Sequence, residues 1–319
     1  MAPILGDGEV SPWTLSSALR SPLLRHRRGA PEIPRTGMLI GVRVQAPAVP
    51  LLLVDGYRSW FGFPGRIRAR SGRDLTGVFG FLALLRKAVR EHAPGHEIVV
   101  VFDSETGAMA RQRVDPAYKA ARRVADHAPR ASYDDLCAVL DLAGVRWLEP
   151  QDTEADDVIG SLAAAHDRAV VVLSSDKDFH QLVSDPRVRQ LDTRQRVDRR
   201  WITAATVRER YGVEAGRWPD LRALTGDPSD GIPGARGIGP KTAAMLLQLS
   251  PTLEALRPLL AGHRLGVVRQ AAQRWDDVLR WRDLITLDPT VDVPTGLSTA
   301  EATPELPPAA ELVELAGLW

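Results

Sequence analysis

The chain has 319 residues, room for one large domain or two ordinary ones, and its 44% apolar and 25% charged content is that of a soluble globular protein. No apolar run could span a bilayer, one cysteine (Cys137) excludes an internal disulfide and fits a reducing, cytoplasmic compartment, and seven scattered histidines argue against a zinc site. The net charge of +1 hides an uneven distribution, with arginines and lysines clustered at 66–73, 111–123 and 194–200.

Residues 1–48 are rich in Arg and Pro, lack steady periodicity, and are expected to be disordered. A transit peptide or a misplaced start codon, with Met38 as the true start, would each explain them. From residue 50 the pattern changes. LLLVD (51–55), IVVVFD (98–103) and AVVVLSSD (169–176) are apolar runs ending in an acid, and read as strands buried on both faces of a parallel sheet. Helical patterns lie between them, at 76–92, 133–143 and 154–166, so residues 49–200 form an α/β domain with a central, mainly parallel sheet flanked by helices. Residues 201–290 are mainly helical, at 203–211, 217–225, 240–249, 252–260 and 266–283. The tail from 291 is rich in proline and is expected to be loosely ordered.

Nine acids occur where such a fold would gather them. Asp55 and Asp103 end strands; Glu154, Asp156 and Asp157 lie in TEADDVIG; Asp176 and Asp178 in SSDKDFHQL; Asp227 and Asp230 in TGDPSDGIPGARGIGPKTA. Taken singly, each has an ordinary reading. Strand-end aspartates cap helices, Thr153 is a good N-cap with acids favoured in the turn after it, and Asp227 and Asp230 suit turns. Together they would crowd the carboxyl edge of one sheet, where open parallel sheets bind ligands. So many carboxylates cannot all stay ionised without cations, and oxygen ligands select Mg²⁺ or Mn²⁺. Two such ions can activate a water and stabilise a leaving oxygen on phosphorus. The glycine-rich stretch after Asp230 is not a Walker A loop, because Pro240 separates Gly239 from Lys241-Thr242 and no strand pattern precedes it.

These segments, with LLLVDG, VVFD and RQRVDPAYKAAR, follow one another in the order of a known family. Residues 50–290 resemble the 5′-nuclease (flap endonuclease-like) superfamily, and in particular the 5′–3′ exonuclease domain of bacterial DNA polymerase I and its stand-alone relatives. The resemblance implies a PIN-like α/β core with a two-metal site and a helical helix–hairpin–helix region that grips duplex DNA. It implies Asp55, Asp103, Glu154, Asp156 and Asp157 as ligands or outer partners of a first metal group, and Asp176, Asp178, Asp227 and Asp230 as the second. Lys119 and Arg122 would face the scissile phosphate, and Tyr118 would stack on a base. Gly234, Gly237, Gly239, Lys241 and Thr242 would hold a backbone phosphate, and the hairpin a K⁺ ion. The implied activity is 5′–3′ exonuclease or flap endonuclease cleavage of duplex DNA, or of an RNA–DNA hybrid, in primer or flap removal during replication and repair. A separate DNA polymerase would be the partner, and monomer is the default.

Three features depart from the family pattern. About one helical turn is missing after Gly56, Asp115 replaces a common aromatic, and the segment 123–135 is short and contains Pro129. They motivate a rival reading, a structure-specific DNA-binding protein that no longer cuts. The complete carboxylate set weighs against it, because acids near phosphates repel. A single-strand ribonuclease is a further rival, disfavoured by the hairpin.

Overall fold

Leu51–Asp55 forms β1, every residue of which is buried because strands pair with it on both sides. The computed structural model describes residues 48–56, 66–121, 132–264 and 266–319. The N-terminal extension, save Ala48, lies outside the described residues, as do the shortened segment after Gly56, Arg122 and most of 123–135.

β1 pairs in parallel with β2 (Glu97–Val101) on one side and β4 (Val170–Leu173) on the other. Beyond β2 lies β3 (Arg146–Leu148), and beyond β4 lies β5 (Val188–Leu191), both parallel. The two-residue β6 (Trp201–Ile202) closes the edge antiparallel, giving the order β3-β2-β1-β4-β5-β6. The expected mainly parallel sheet is therefore present. The sequence pattern missed β3, β5 and β6. Arg189 and Gln190 break the apolar run of β5, and the other two are short edge strands.

Alternation along the strands feeds two cores. Leu52, Val54, Ile98 and Val100 pack with α1 (Thr76–His92) and α3 (Tyr133–Leu142) through Phe81, Leu85, Leu136 and Leu140. Leu51, Leu53, Val99, Val101 and Val172 pack with α4 (Ala155–Ala165) through Val158, Ile159 and Leu162. Each such side chain contributes about 1.5–3 kcal/mol on burial, so a register slip that exchanged the two faces would be prohibitive. The short α2 (Met109–Val114) follows β2.

A third core unites α5 (Ala204–Tyr211), α6 (Trp218–Thr225), α7 (Pro240–Leu247), α8 (Leu253–Ala261), α9 (Gly266–Gln273) and α10 (Trp275–Ile285) around Trp218, Trp275 and Trp281. The single helix expected over 266–283 is thus two, broken at Arg274. Past the break Trp275 is fully buried, and its indole N–H donates to the Leu253 carbonyl at 2.9 Å.

The proline-rich tail also differs from expectation, because it is packed. Buried Glu97 accepts the amides of Thr299 (2.6 Å) and Ala300 (3.1 Å) and the Ser298 hydroxyl (3.0 Å). Arg86 donates to the Leu306 carbonyl, and α11 (Ala309–Leu315) buries Leu312 and Val313 in the core shared with α1 and α3. Proline prevents ladder bonding but not burial, and here the tail supplies apolar cover and donors that the first domain lacks. Among the described residues no helix is long and apolar enough to cross a membrane.

Candidate active site

The strand order reverses between β1 and β4, and the crevice beyond their carboxyl ends is where an open α/β sheet binds ligands. Asp55 ends β1 there. Its Oδ2 accepts the Ser174 hydroxyl, from the loop after β4, at 2.6 Å. The same hydroxyl accepts the amide of Asp176 at 2.9 Å, and Asp176 Oδ1 accepts the amide of Asp178 at 3.0 Å. The SSDKD loop is thereby laid across the switch point.

Asp103, just past β2, accepts the Ala155 amide at 3.0 Å and so caps α4. Thr153 was the expected cap. The N-cap position instead belongs to Glu154, whose side chain makes no cap bond. This delivers Asp156 into the crevice. Burial, and then the charges of Asp176, Asp103 and Asp55, push the Asp156 carboxyl well above the usual carboxylate range.

A second group forms beside the first. Asp178, Asp227 and Asp230 each place one carboxylate oxygen within 4.8 Å of the others. Burial, then Asp176 and Asp230, push Asp178 up to about 8. Asp227 behaves oppositely. Burial disfavours its charge, but Ser229 and the Arg222 guanidinium hold its carboxyl below the ordinary range. Asp176 raises both Asp156 and Asp178, so it stands between the groups electrostatically.

Glu154 and Asp157 share a helix face, as their spacing requires, but they meet at Arg111 rather than in the acidic crevice. Arg111 Nη1 and Nη2 reach Asp157 at 2.6 and 2.8 Å, and Nη1 reaches Glu154 at 2.5 Å. Asp157 also accepts the Asp288 amide at 2.9 Å. Asp157 thus ties α4 to α2 through the Arg111 ion pair and to the chain after α10 through the Asp288 amide. Glu154 further accepts the Lys119 ammonium and the Tyr118 hydroxyl. Burial works against its charge, but Lys119 and Arg111 hold its carboxyl low.

Tyr118 is buried, with its ring in the helical core, and is not presented for stacking. Lys119 is buried as well, at a left-handed φ of 53°, and its charge acts on Asp156. Its amide donates to the Asp230 carbonyl at 2.9 Å. This contact requires Gly231, where a Cβ would lie 2.2 Å from the Ala117 carbonyl oxygen. The RQRVDPAYK segment and the GDPSDG turn are thus locked together.

The hairpin glycines divide by role. Gly234 is buried at φ 72°, and a Cβ there would sit 2.4 Å from the Gly226 amide nitrogen, so close packing requires glycine at this position. Gly237, Gly239 and Lys241 are exposed, and Thr242 is half-buried. Gly239 caps α7, whose first-turn amides lack intrahelical acceptors. Sequence reasoning gave no individual role to Ser174, Gln190, Arg111 or Arg222, although Ser174 lies in SSDKDFHQL and Arg111 in the basic cluster 111–123.

Residues 50–212 match the model of the 5′–3′ exonuclease N-terminal resolvase-like domain, and residues 213–307 that of the 5′–3′ exonuclease C-terminal SAM fold. The chain belongs to the 5′–3′ exonuclease family. As a member of that family it is a nuclease, and its mostly parallel sheet followed by a helical region is the family architecture. A 5′–3′ exonuclease of Streptomyces coelicolor is 36% identical over 210 residues, covering 60% of this chain and 67% of that one. The thermostable DNA polymerase I of Thermus aquaticus is 36% identical over 243 residues, 74% of this chain but 28% of the polymerase. The chain therefore spans about a quarter of the polymerase. Among solved structures, T5 5′-exonuclease with bound divalent metal ions (zinc) aligns with a TM-score of 0.60 at 20% identity, over 75% of this chain and 90% of that one. The catalytic core of Rad2 in complex with DNA substrate aligns at 0.53 and 12% identity, over 86% and 88%. At these identities the likeness is one of fold.

Proposed function

We propose that this 5′–3′ exonuclease is a divalent-cation-dependent enzyme that hydrolyses phosphodiesters at 5′ ends and flaps of duplex DNA. The observation that carries this reading is the gathering of acids from β1, β2, α4, the loop after β4 and the 227–230 turn around one crevice. The donor set fits a hard divalent cation. It consists of carboxylate oxygens, and burial, followed by the charges of neighbouring acids, makes two of its members, Asp156 and Asp178, resist ionisation without a counter-charge. Asp55, Asp103, Asp156 and Asp176 would hold one ion, and Asp178, Asp227 and Asp230 the other, as Mg²⁺ or Mn²⁺. Bound there, the ions would supply an activated water and charge neutralisation at the phosphate. Divalent ions in T5 5′-exonuclease and DNA in the Rad2 complex are in keeping with this reading.

The chain's own residues do the positioning. Ser174 orients Asp55 and fixes the start of the SSDKD loop. Arg111 holds Glu154, and Glu154 holds Lys119, whose ammonium would stabilise charge developing on the phosphate beside the acids. Arg122 would add a second cation from outside the described residues. The exposed Gly237, Gly239, Lys241 and the first turn of α7, with Thr242, would grip a backbone phosphate of the duplex without reading its sequence. A K⁺ ion at this hairpin belongs to the same proposal. Because GDPSDG and the hairpin are contiguous, the distance from grip to cut is fixed. A separate polymerase would act on the cleared strand, and the chain would work as a cytoplasmic monomer.

Cleavage of a labelled 5′-flap duplex with Mg²⁺, compared with the same reaction in chelator, tests the proposal. Metal-dependent cutting near the junction is expected. Tight binding without cutting, by protein shown to be folded, would overturn it in favour of a DNA-binding protein.

A further inference from the structure

Gln190 lies on β5, beside β4, and is 1% exposed. Its amide nitrogen donates to the carbonyl of Ser174 at 3.0 Å and to that of Asp176 at 2.6 Å. Carbonyls only accept, so they fix the amide with its nitrogen toward the SSDKD loop and its oxygen away. That oxygen lies 2.8 Å from Nδ1 of His180, which must then donate. His180 is itself held in place, because its ring packs against Trp218 (centroids 4.5 Å apart) and Tyr211 (5.7 Å).

The SSDKD loop is consequently gripped from two sides. On the crevice side Ser174 Oγ joins Asp55 to the Asp176 amide. On the sheet side Gln190 takes the carbonyls of residues 174 and 176, on either side of Ser175. With those carbonyls held, the peptide planes that aim the Asp176 side chain cannot rotate unless buried acceptors lose their donors. Asp176 itself accepts the Asp178 amide at 3.0 Å, so its position bears on the next acid of the loop as well.

We propose that Gln190 is a positioning residue of the cation site, fixing the backbone that presents Asp176, with His180 holding Gln190. This rests on reading the carboxylate cluster as the divalent-cation site. Oxygen sites for small divalent ions tolerate little error in ligand placement, and outer partners of metal ligands commonly govern about 10–100-fold in affinity.

The test is Mn²⁺ titration of the full chain by calorimetry without DNA, for the wild type, Gln190→Met and His180→Phe. Mg²⁺ dependence of flap cleavage and thermal melting in chelator are followed in parallel. Methionine keeps the length of Gln190 but has no N–H, and phenylalanine keeps the ring contacts of His180 but cannot donate. Gln190→Met is expected to bind Mn²⁺ about 10–100-fold more weakly. Its half-saturating Mg²⁺ should rise in step, with KM for DNA unchanged. His180→Phe should shift both in the same direction by less. A Gln190 that merely stabilises the strand would lower the melting temperature and leave Mn²⁺ affinity of the folded protein unchanged, which overturns the proposal. If Gln190→Met does not fold, wild-type affinity in His180→Phe overturns it instead. A wild-type protein that binds no Mn²⁺ would overturn the cation-site reading itself, and this proposal with it.

Discussion

Arg111 takes both oxygens of Asp157, Nη1 at 2.6 Å from Oδ2 and Nη2 at 2.8 Å from Oδ1, and the same Nη1 lies 2.5 Å from Glu154. One guanidinium therefore pins the start of α4. Removing one partner of a buried ion pair strands the other, at a cost of about 3–5 kcal/mol. Asp157→Ala leaves Arg111 paired with Glu154 and should lose less than that in denaturant unfolding, while the folded protein keeps most of its Mn²⁺ affinity. Unchanged stability with lost Mn²⁺ binding would return Asp157 to the ligand set.

Asp176 makes the opposite prediction. It bears on both carboxylate groups, and Asp176→Asn keeps its shape while removing its charge. Cleavage should fall by at least about 100-fold, with duplex binding largely intact. Kinetics and a binding titration on one flap substrate separate the two, and an equal loss of binding would undermine the metal role.

The hairpin yields a contrast between exposed and buried positions. Lys241→Ala should weaken duplex binding and lower the slope of log affinity against log salt by about 1. Gly234→Ala should instead damage the fold, because φ is 72° and the added Cβ would meet the Gly226 nitrogen at 2.4 Å. A salt slope that Lys241→Ala leaves untouched would remove that lysine from the phosphate grip.

Cation removal should be felt through pH. The Asp178 carboxyl is raised to about 8 by burial and its acidic neighbours. In the cation-free protein its stabilising contribution is complete below the ordinary carboxylate range and is lost as pH rises toward about 8. Mg²⁺ should therefore raise the melting temperature more at pH 8.5 than at pH 5.5, and binding near pH 7 should release protons. Calorimetry in two buffers of different ionisation heat measures that release, and its absence would place Asp178 outside the cation site.

Glu97 works the other way, far from the crevice. Burial disfavours its charge, but the Thr299 amide, Arg168 and Ser298 hold its carboxyl below the usual range. Its contribution is present above the ordinary carboxylate range and disappears as pH falls below it. Glu97→Gln should lower neutral-pH stability and flatten the acid limb of unfolding, and should increase proteolysis of the 298–319 tail. A tail as protected as in the wild type would show that its apolar contacts suffice.

The sequence alone determined the central parallel strands of the first domain and the place of the strand-end acids at their carboxyl edge. β1, β2 and β4 are buried on both faces, so their apolar runs are continuous, and a parallel sheet must bring their acid-bearing ends to one edge. The family segments carried the activity, because they follow one another along the chain in the family's order. Tertiary structure alone decided where individual side chains point. Asp157 and Asp156 are neighbours on one helix turn, yet one meets Arg111 and the other the crevice, because residues a single step apart face about 100° away from each other. Tyr118 is buried and Gly234 is a packing glycine because of partners distant in sequence, Glu154 and Gly226. The tail reads as loose until Glu97 and the α1–α3 surface are present to receive it. Gln190 is only a polar residue among apolar ones until β5 is laid beside β4 and its amide meets the Ser174 and Asp176 carbonyls.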